Sequence, residues 1–327
     1  MTATVRSIAL LTVTILATAC TDPDDVPASH ISTPPPANTA EAEAPTVKRF
    51  PNKTALFGDL HVHTSWSSDA YTGGNRLGPN TAYRFAKGEK VELPNGIEAQ
   101  LPSPLDFVAL TDHAEGFGSH LACTIPGSTE FDLPQCRALR SGAIDQETLL
   151  EGAFEIAGTR PMPRNTDTCG DLEQCQANEQ STWQRVQEVA NANNEPGRFT
   201  ALIGYEFSAL LEQFGMLHRN VIFRGADVTR HAISALDVEN QRDFFNQLDA
   251  ACEAPCEVLT IPHNTNYSWG LTFSRSDLDG ADYSSEDLAR RSRIERLFEI
   301  TQQKGTSECQ ISVGTADEDC NYGILFP

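Results

Sequence analysis

Two imidazoles stand two residues apart in Gly58-Asp59-Leu60-His61-Val62-His63-Thr64, a segment whose pattern predicts a strand. Alternate residues of a strand share a face, so Asp59, His61 and His63 point one way. Two such rings converge on one cation, and a neighbouring carboxylate such as Asp59 is placed to orient a ring by hydrogen bonding. Leu56, Leu60 and Val62 point the other way, toward an expected apolar layer. Four more apolar runs end in residues of ligand type. One enters Thr111-Asp112-His113, one reaches Glu206 after Ile203-Gly204-Tyr205, one carries His218 and Asn220 on a single face, and one ends in Pro262-His263-Asn264. Taken singly, these are a turn, a solvated strand end and a buried histidine. Five at successive strand ends point to one shared site, because α/β barrels gather their chemistry at C-terminal strand ends.

The elements that must position these residues follow from the pattern. Candidate strands cover 54–62, 105–111, 199–207, 217–223, 257–262 and 296–300, and candidate helices cover 181–192, 243–251 and 286–293. Strand–helix alternation predicts a parallel sheet or an α/β barrel. The stretch 114–198 is too long for a plain loop and is expected to be an insertion capping one end of the barrel.

The 327 residues carry a formal net charge of −21, which disfavours any partner with a phosphate backbone and makes nucleic-acid binding an unsuitable role. Residues 1–20 read as an export signal: Arg6, an apolar run over 8–16, then Ala17-Thr18-Ala19 before Cys20. Ala-Thr-Ala-Cys resembles a bacterial lipoprotein signal, which implies acylation of Cys20, a membrane anchor and, with Thr21 following, the periplasmic face of the outer membrane. Residues 21–50, with Pro34-Pro35-Pro36 and Glu41-Ala42-Glu43-Ala44, read as a disordered tether, so His30 is chemically idle. His120 and His231 are also expected to lie away from the site. The remaining eight cysteines form four sequence-local couples, Cys123–Cys136, Cys169–Cys175, Cys252–Cys256 and Cys309–Cys320, which are the expected disulfides of an exported chain.

Asp59-Leu60-His61-Val62-His63, Thr111-Asp112-His113, Glu206, His218 and Pro262-His263 resemble the successive motifs of the PHP (polymerase and histidinol phosphatase) superfamily. Over 54–327 the chain is similar to an exported bacterial PHP-like family catalogued as a domain of unknown function, through Gly58 to Ser65, Asp69-Ala70-Tyr71, Gly204 to Ser208, His218 to Val221 and Lys304-Gly305-Thr306-Ser307-Glu308-Cys309. The resemblance implies a distorted (β/α)7 barrel of TIM type over 51–327, with two or three divalent metals. It implies that His61 and His63 hold one metal, that Glu206 bridges it to a second held by His218 and His263, and that Asp69 and His113 belong to a third position. Imidazole with carboxylate suits Zn, Mn or Fe. Asp59 and Asp112 are expected to orient histidines, with Asn220, Asn264 and Glu308 as outer hydrogen-bonding partners, and Arg219 and Lys304 to clamp an anion.

PHP barrels close with an Asp-x-His near the last strand, and none follows His263 here. The chain is therefore expected to be a C-terminally truncated fragment with an incomplete barrel and doubtful activity, and its segment after Cys309 to look unfinished. The expected function is an exported metal-dependent hydrolase of phosphoesters, activating water at its metals and acting on a small anionic ester. A sulfate ester is the chemically close alternative, and a non-catalytic surface binding lipoprotein the alternative of another class. No Gly-rich phosphate loop and no serine-nucleophile elbow occurs, which disfavours nucleotide-driven transfer and acyl-serine chemistry.

Overall fold

A short connection decides the architecture. Strand pairs in parallel need a crossover of a dozen residues or more, whereas antiparallel pairs need only a turn. Residues 204–210 and 216–223 are apolar and strand-like but separated by five residues, so they must fold back on one another.

The structure, a computed structural model, describes residues 54–144, 146–212, 215–263, 265–302 and 305–306. Strand β1 (Gly58–Val62) leads into helices α1 (Ser68–Thr72) and α2 (Pro79–Ala86), then a small hairpin of β2 (Val91–Glu92) and β3 (Glu98–Ala99). Strand β4 (Phe107–Leu110) is followed by helices α3 (His120–Thr124), α4 (Pro134–Ser141), α5 (Gln146–Ile156), α6 (Thr166–Cys169) and α7 (Leu172–Asn193). Next come β5 (Thr200–Leu202), β6 (Gly204–Leu210), β7 (Met216–Phe223), α8 (Gln241–Ala251), β8 (Val258–His263), α9 (Ser285–Ile294), β9 (Thr301–Gln302) and β10 (Gly305–Thr306). Among the described residues no helix is long and apolar enough to cross a membrane.

The expected (β/α)7 barrel is not what forms. The described strands make a small parallel sheet, β1-β4-β5, and an antiparallel sheet, β6-β7-β8, with two further two-stranded pairs and no closed barrel. The run expected as one strand over 199–207 breaks at Ile203 into β5 and β6, and the β6–β7 hairpin replaces a parallel crossover. The expected strand over 296–300 is not one; pairing begins only at β9. A parallel bridge between His113 and Glu206 joins the two sheets, with Glu206 N–H donating to the Asp112 carbonyl at 3.0 Å.

One core lies under both sheets. Helix α7, within 114–198, carries fully buried Trp183 against Tyr205 and Phe223, its indole N–H donating to the Thr229 carbonyl at 2.8 Å. Phe207 of β6 packs on Phe244 of α8 with ring centroids 4.3 Å apart. Leu60 reaches a smaller cluster of Ala109, Ile222 and Ile261, and Val62 the main core, but Leu56 is exposed and takes no part in that layer. Gly58 is required by close approach: a Cβ there would sit 2.2 Å from the Phe107 carbonyl oxygen of the adjacent strand. Helix starts carry their caps, Asp171 for α7, Asn240 for α8 and a Ser284–Asp287 capping box for α9.

Disulfides join Cys123–Cys136, Cys169–Cys175 and Cys252–Cys256, with Cα atoms 4.6, 5.1 and 5.1 Å apart. The expected Cys309–Cys320 bridge, Cys20, His30, the signal, the tether and the segment after Cys309 lie outside the described residues.

His120 is 4% exposed, its Nε2–H donating to the Ser65 carbonyl at 3.0 Å and its ring edge-on to Tyr71 at 5.0 Å. Burial pushes this imidazole down to about 4, outweighing the Ser65 carbonyl and Asp69, which favour the charged form. The unfolded chain therefore binds a proton near pH 6.5 that the folded chain refuses until about 4, so stability falls as pH drops through that window. The expected slope from this residue is about 1.4 kcal/mol per pH unit. Urea unfolding at pH 7 and pH 5 checks it: the stability lost between the two should shrink by about 2 kcal/mol in His120→Gln. Equal losses in both proteins would show that the buried ring is not held neutral.

Candidate functional site

The hairpin register builds the centre of the site. On β6, Glu206 and Ser208 share a face; on β7, His218 sits opposite Ser208 and Asn220 opposite Glu206; on β8, His263 sits opposite His218. Glu206 and His218 are therefore diagonal neighbours within the sheet, not residues at strand ends as expected. The parallel sheet contributes from its C-terminal ends, with His61 and His63 at the end of β1 and His113 three residues beyond β4.

All five histidines converge on the Glu206 carboxylate, which is wholly buried. Its Oε2 lies 2.7 Å from His63 Nε2 and 3.3 Å from His61 Nε2. Its Oε1 lies 2.8 Å from His218 Nδ1, 3.0 Å from His263 Nε2 and 3.6 Å from His113 Nδ1. The two oxygens thus divide the rings into two groups. Burial is graded: the His263 and Glu206 side chains are 0% exposed and form the floor, while those of His61, His63 and His113 keep 12–15% exposure at the mouth.

Outer carboxylates hold the mouth rings. Asp69, on α1, meets His63 Nδ1 at 3.0 Å and His113 Nε2 at 3.3 Å, and the Ser67 hydroxyl donates to it at 2.6 Å. Glu299 meets His61 Nδ1 at 3.1 Å, and the Gln302 amide links Glu299 to His263 Nδ1 at 3.0 and 3.2 Å. Ser208 bonds His113 Nδ1 and donates to Glu206 Oε1. Glu299, Gln302 and Ser208 were not singled out from the sequence. Glu299 closes the apolar pair Leu297-Phe298 within the expected strand 296–300, and Ser208 alternates with Glu206; those were the available signals.

These contacts set the charges. Burial alone would depress His61 and His63, but Glu206 with Glu299 raises the first to about 9, and Glu206 with Asp69 raises the second to about 10. Burial pushes Asp69 and Glu206 upward, yet the facing histidines hold both carboxyls well below the usual carboxylate range. Burial wins at His263, which falls to about 3 and stays neutral. A neutral imidazole has one N–H, whereas His61 and His63 each face carboxylates at both ring nitrogens. A cation between each Nε2 and Glu206 Oε2, either a proton or a metal, resolves that frustration.

The donor set fits metal. Four groups bring ligand atoms within 4.8 Å of one another: His61-His63-Glu206, His113-Glu206-His218, His63-Asp69-His113 and His61-His263-Glu299. His263 Nε2 and Asn220 Oδ1 are buried without an aligned hydrogen-bond partner among the described residues. Carboxylates behind His61 and His63 at Nδ1 leave Nε2 free to ligate, the arrangement that orients metal-binding rings.

Other expected roles fall elsewhere. Arg219 is fully buried on the opposite face of β7, bonded to Glu295 at 3.0 Å and Gln241 at 2.8 Å among Phe207, Phe244 and Phe245. It cannot clamp an anion at the site, because strand alternation turns it away from His218 and Asn220. Asp59 is exposed and accepts the His61 backbone N–H at 3.0 Å rather than orienting a ring. Asp112 is buried and pins Thr64 through its N–H at 2.6 Å and hydroxyl at 2.8 Å, with burial pushing its carboxyl up to about 6. Asn264, Lys304 and Glu308 lie outside the described residues. His120 and exposed His231 take no part in the cluster.

The contact of Glu299 with His61 makes a direct prediction. If these rings ligate a metal, Glu299→Ala should weaken its binding by about 10- to 100-fold, the usual effect of losing an orienting carboxylate. Competition with a chromophoric chelator checks this, with thermal unfolding as the control for folding. A change within twofold would show that Glu299 does not orient the ring.

No curated protein and no solved structure matches this chain. A family model described as a protein of unknown function (DUF3604) matches residues 50–326, and the chain therefore belongs to the DUF3604 family.

Proposed function

We propose that this protein is a metal-dependent hydrolase of phosphoesters, and that the motif resemblance to PHP-type phosphoesterases reflects shared chemistry. The observation that carries the reading is the buried Glu206 carboxylate, with His61 and His63 at one oxygen and His218 and His263 at the other. Those residues would hold two cations, with Glu206 shared between them. Asp69 and His113 offer a third position. Divalent Zn, Mn or Fe bound there would lower the pKa of a water toward neutrality and offset charge on a phosphoryl group.

The chain's own residues supply position. Glu299 and Asp69 hold the mouth rings with their Nε2 and Nδ1 edges fixed. Ser208 ties His113 to the Glu206 carboxylate, so one hydroxyl fixes the outer ring relative to the buried acid. His263 and Glu206 close the floor to water, while the partly exposed rings leave one side open to an anionic ester. Export through the 1–20 leader and a lipid anchor at Cys20 belong to the same proposal; the three disulfides support an oxidising compartment.

The test uses the full chain, stripped with a chelator and reloaded with Zn, Mn or Fe. It should take up two or more metal equivalents and hydrolyse 4-nitrophenyl phosphate only when loaded. Glu206→Gln should lower kcat/KM by more than about a hundredfold, since it removes the charge shared by both positions. Loaded protein that cleaves neither phosphate nor sulfate esters would sink the hydrolase reading. Protein that takes up no metal would favour a binding module.

A further inference from the structure

A groove of about 480 Å³ opens beside the site, and His63 is one of its walls. Its apolar walls come from Leu77, from Ala82 and Phe85 on α2, and from Val91 and Leu93 at the β2–β3 hairpin, while Asn75, Thr81 and Asn95 supply its polar edge. The surface is mostly apolar, and His63 is the single titratable side chain lining it among the described residues. The volume is in the range of small-molecule sites.

The groove meets the candidate metal ligands at one residue, His63. The ring of that residue meets Glu206 Oε2 at 2.7 Å and Asp69 at 3.0 Å. The opposite wall is tied to the same strand exit, since Ser65 N–H donates to the Leu77 carbonyl at 2.9 Å. An ester with its anionic end among the histidines would therefore have an apolar groove adjacent at His63 for the rest of the molecule.

Resting on the hydrolase reading, the geometry points to this groove as the subsite for the alcohol part of the substrate, and to that part being apolar, an alkyl or aryl group. The substrate is then an amphiphilic ester of a tetrahedral oxoanion. Asn75 and Asn95 use their Oδ1 atoms for the backbone N–H groups of Leu77 and Ile97, and Thr81 is buried, so most hydroxyls of a sugar or nucleoside would face Leu77, Phe85, Val91 and Leu93 without partners. Apolar contact also offsets the repulsion of an anion by a chain with net charge −21. In the reaction, water adds to phosphorus and the phosphorus–oxygen bond to the alcohol breaks. The alcohol leaves with a proton from the water, and phosphate is released.

The metal-loaded full chain is tested with a series of alkyl phosphates from ethyl to octyl, with glycerol phosphate as the polar comparison and the alkyl sulfates as a second arm. kcat/KM should rise by roughly two- to fourfold per methylene until the groove is filled. Leu93→Ser, on the hairpin, and Ala82→Trp, which fills the groove, should each flatten that slope. Independently of turnover, octyl phosphate should shift the methyl NMR signals of Leu77, Val91 and Leu93, and inorganic phosphate should not. Hydrolysis with no dependence on chain length, and unmoved methyls, would overturn the groove while leaving the hydrolase standing. Shifted methyls without hydrolysis of either ester series would support the groove as a ligand site and overturn the hydrolase reading. The faster arm, phosphate or sulfate, identifies the oxoanion.

Discussion

A carboxylate with no exposed surface holds the two halves of this molecule to one another. Burying an unpaired charge costs several kcal/mol, so a chain that places Glu206 beneath two sheets must surround it with positive charge. Five imidazoles drawn from four strands or their ends face it, each within 3.6 Å, with His61 and His63 held toward the charged form and His263 neutral. Imidazole can supply that charge in two ways, by binding a proton or by ligating a cation. Deprotonated rings with a metal give the same neutralisation as protonated rings without one, and they leave each nitrogen with a partner. The frustration at His61 and His63, each flanked by two carboxylates, is what makes the second state attractive.

Precision comes from the antiparallel sheet. A slip of one residue between β6 and β7 would turn Glu206 and Ser208 away from His218. The opposite face resists that slip. There Tyr205 and Phe207 fill the core against Trp183 and Phe244, and Arg219 is locked to Glu295 and Gln241 among three phenylalanine rings. The same strands are thus read on both faces, ligands on one and packing on the other. Arg219 serves the site indirectly, by anchoring the register that presents His218.

The sequence was legible where local pattern and local chemistry coincide. His61 and His63 share a face because strands alternate, and Asp69, His113, Glu206, His218 and His263 gather around them, whereas Asp59 and Asp112 bond elsewhere. Three near-neighbour cysteine couples pair as their spacing suggests. The architecture was less legible because motif order does not reveal strand direction. The five-residue link between β6 and β7 held that information, and it outranked the barrel suggested by resemblance. Arg219 was misassigned although alternation between His218 and Asn220 already turned it to the other face. Glu299 and Gln302 were missed for a different reason. They reach the site from 36 and 39 residues beyond His263, through a contact of Glu299 N–H with the Pro262 carbonyl that no periodicity announces.

The acidic character of the chain also bears on how the site is used. With a net charge of −21, long-range fields slow the approach of an anion and give little steering toward the histidines. On the proposed hydrolase reading, attraction of the anion must therefore be local. With Arg219 on the far face, the described cluster has no cationic side chain besides its own imidazoles. Bound dications would then be the source of positive potential, and beyond the site mouth salt screens it over about 8 Å. An anion that must come so close before it is attracted gains from a second anchor without charge. The apolar walls beside His63 are placed to provide it, which links the acidic surface, the buried carboxylate and the groove in one physical account.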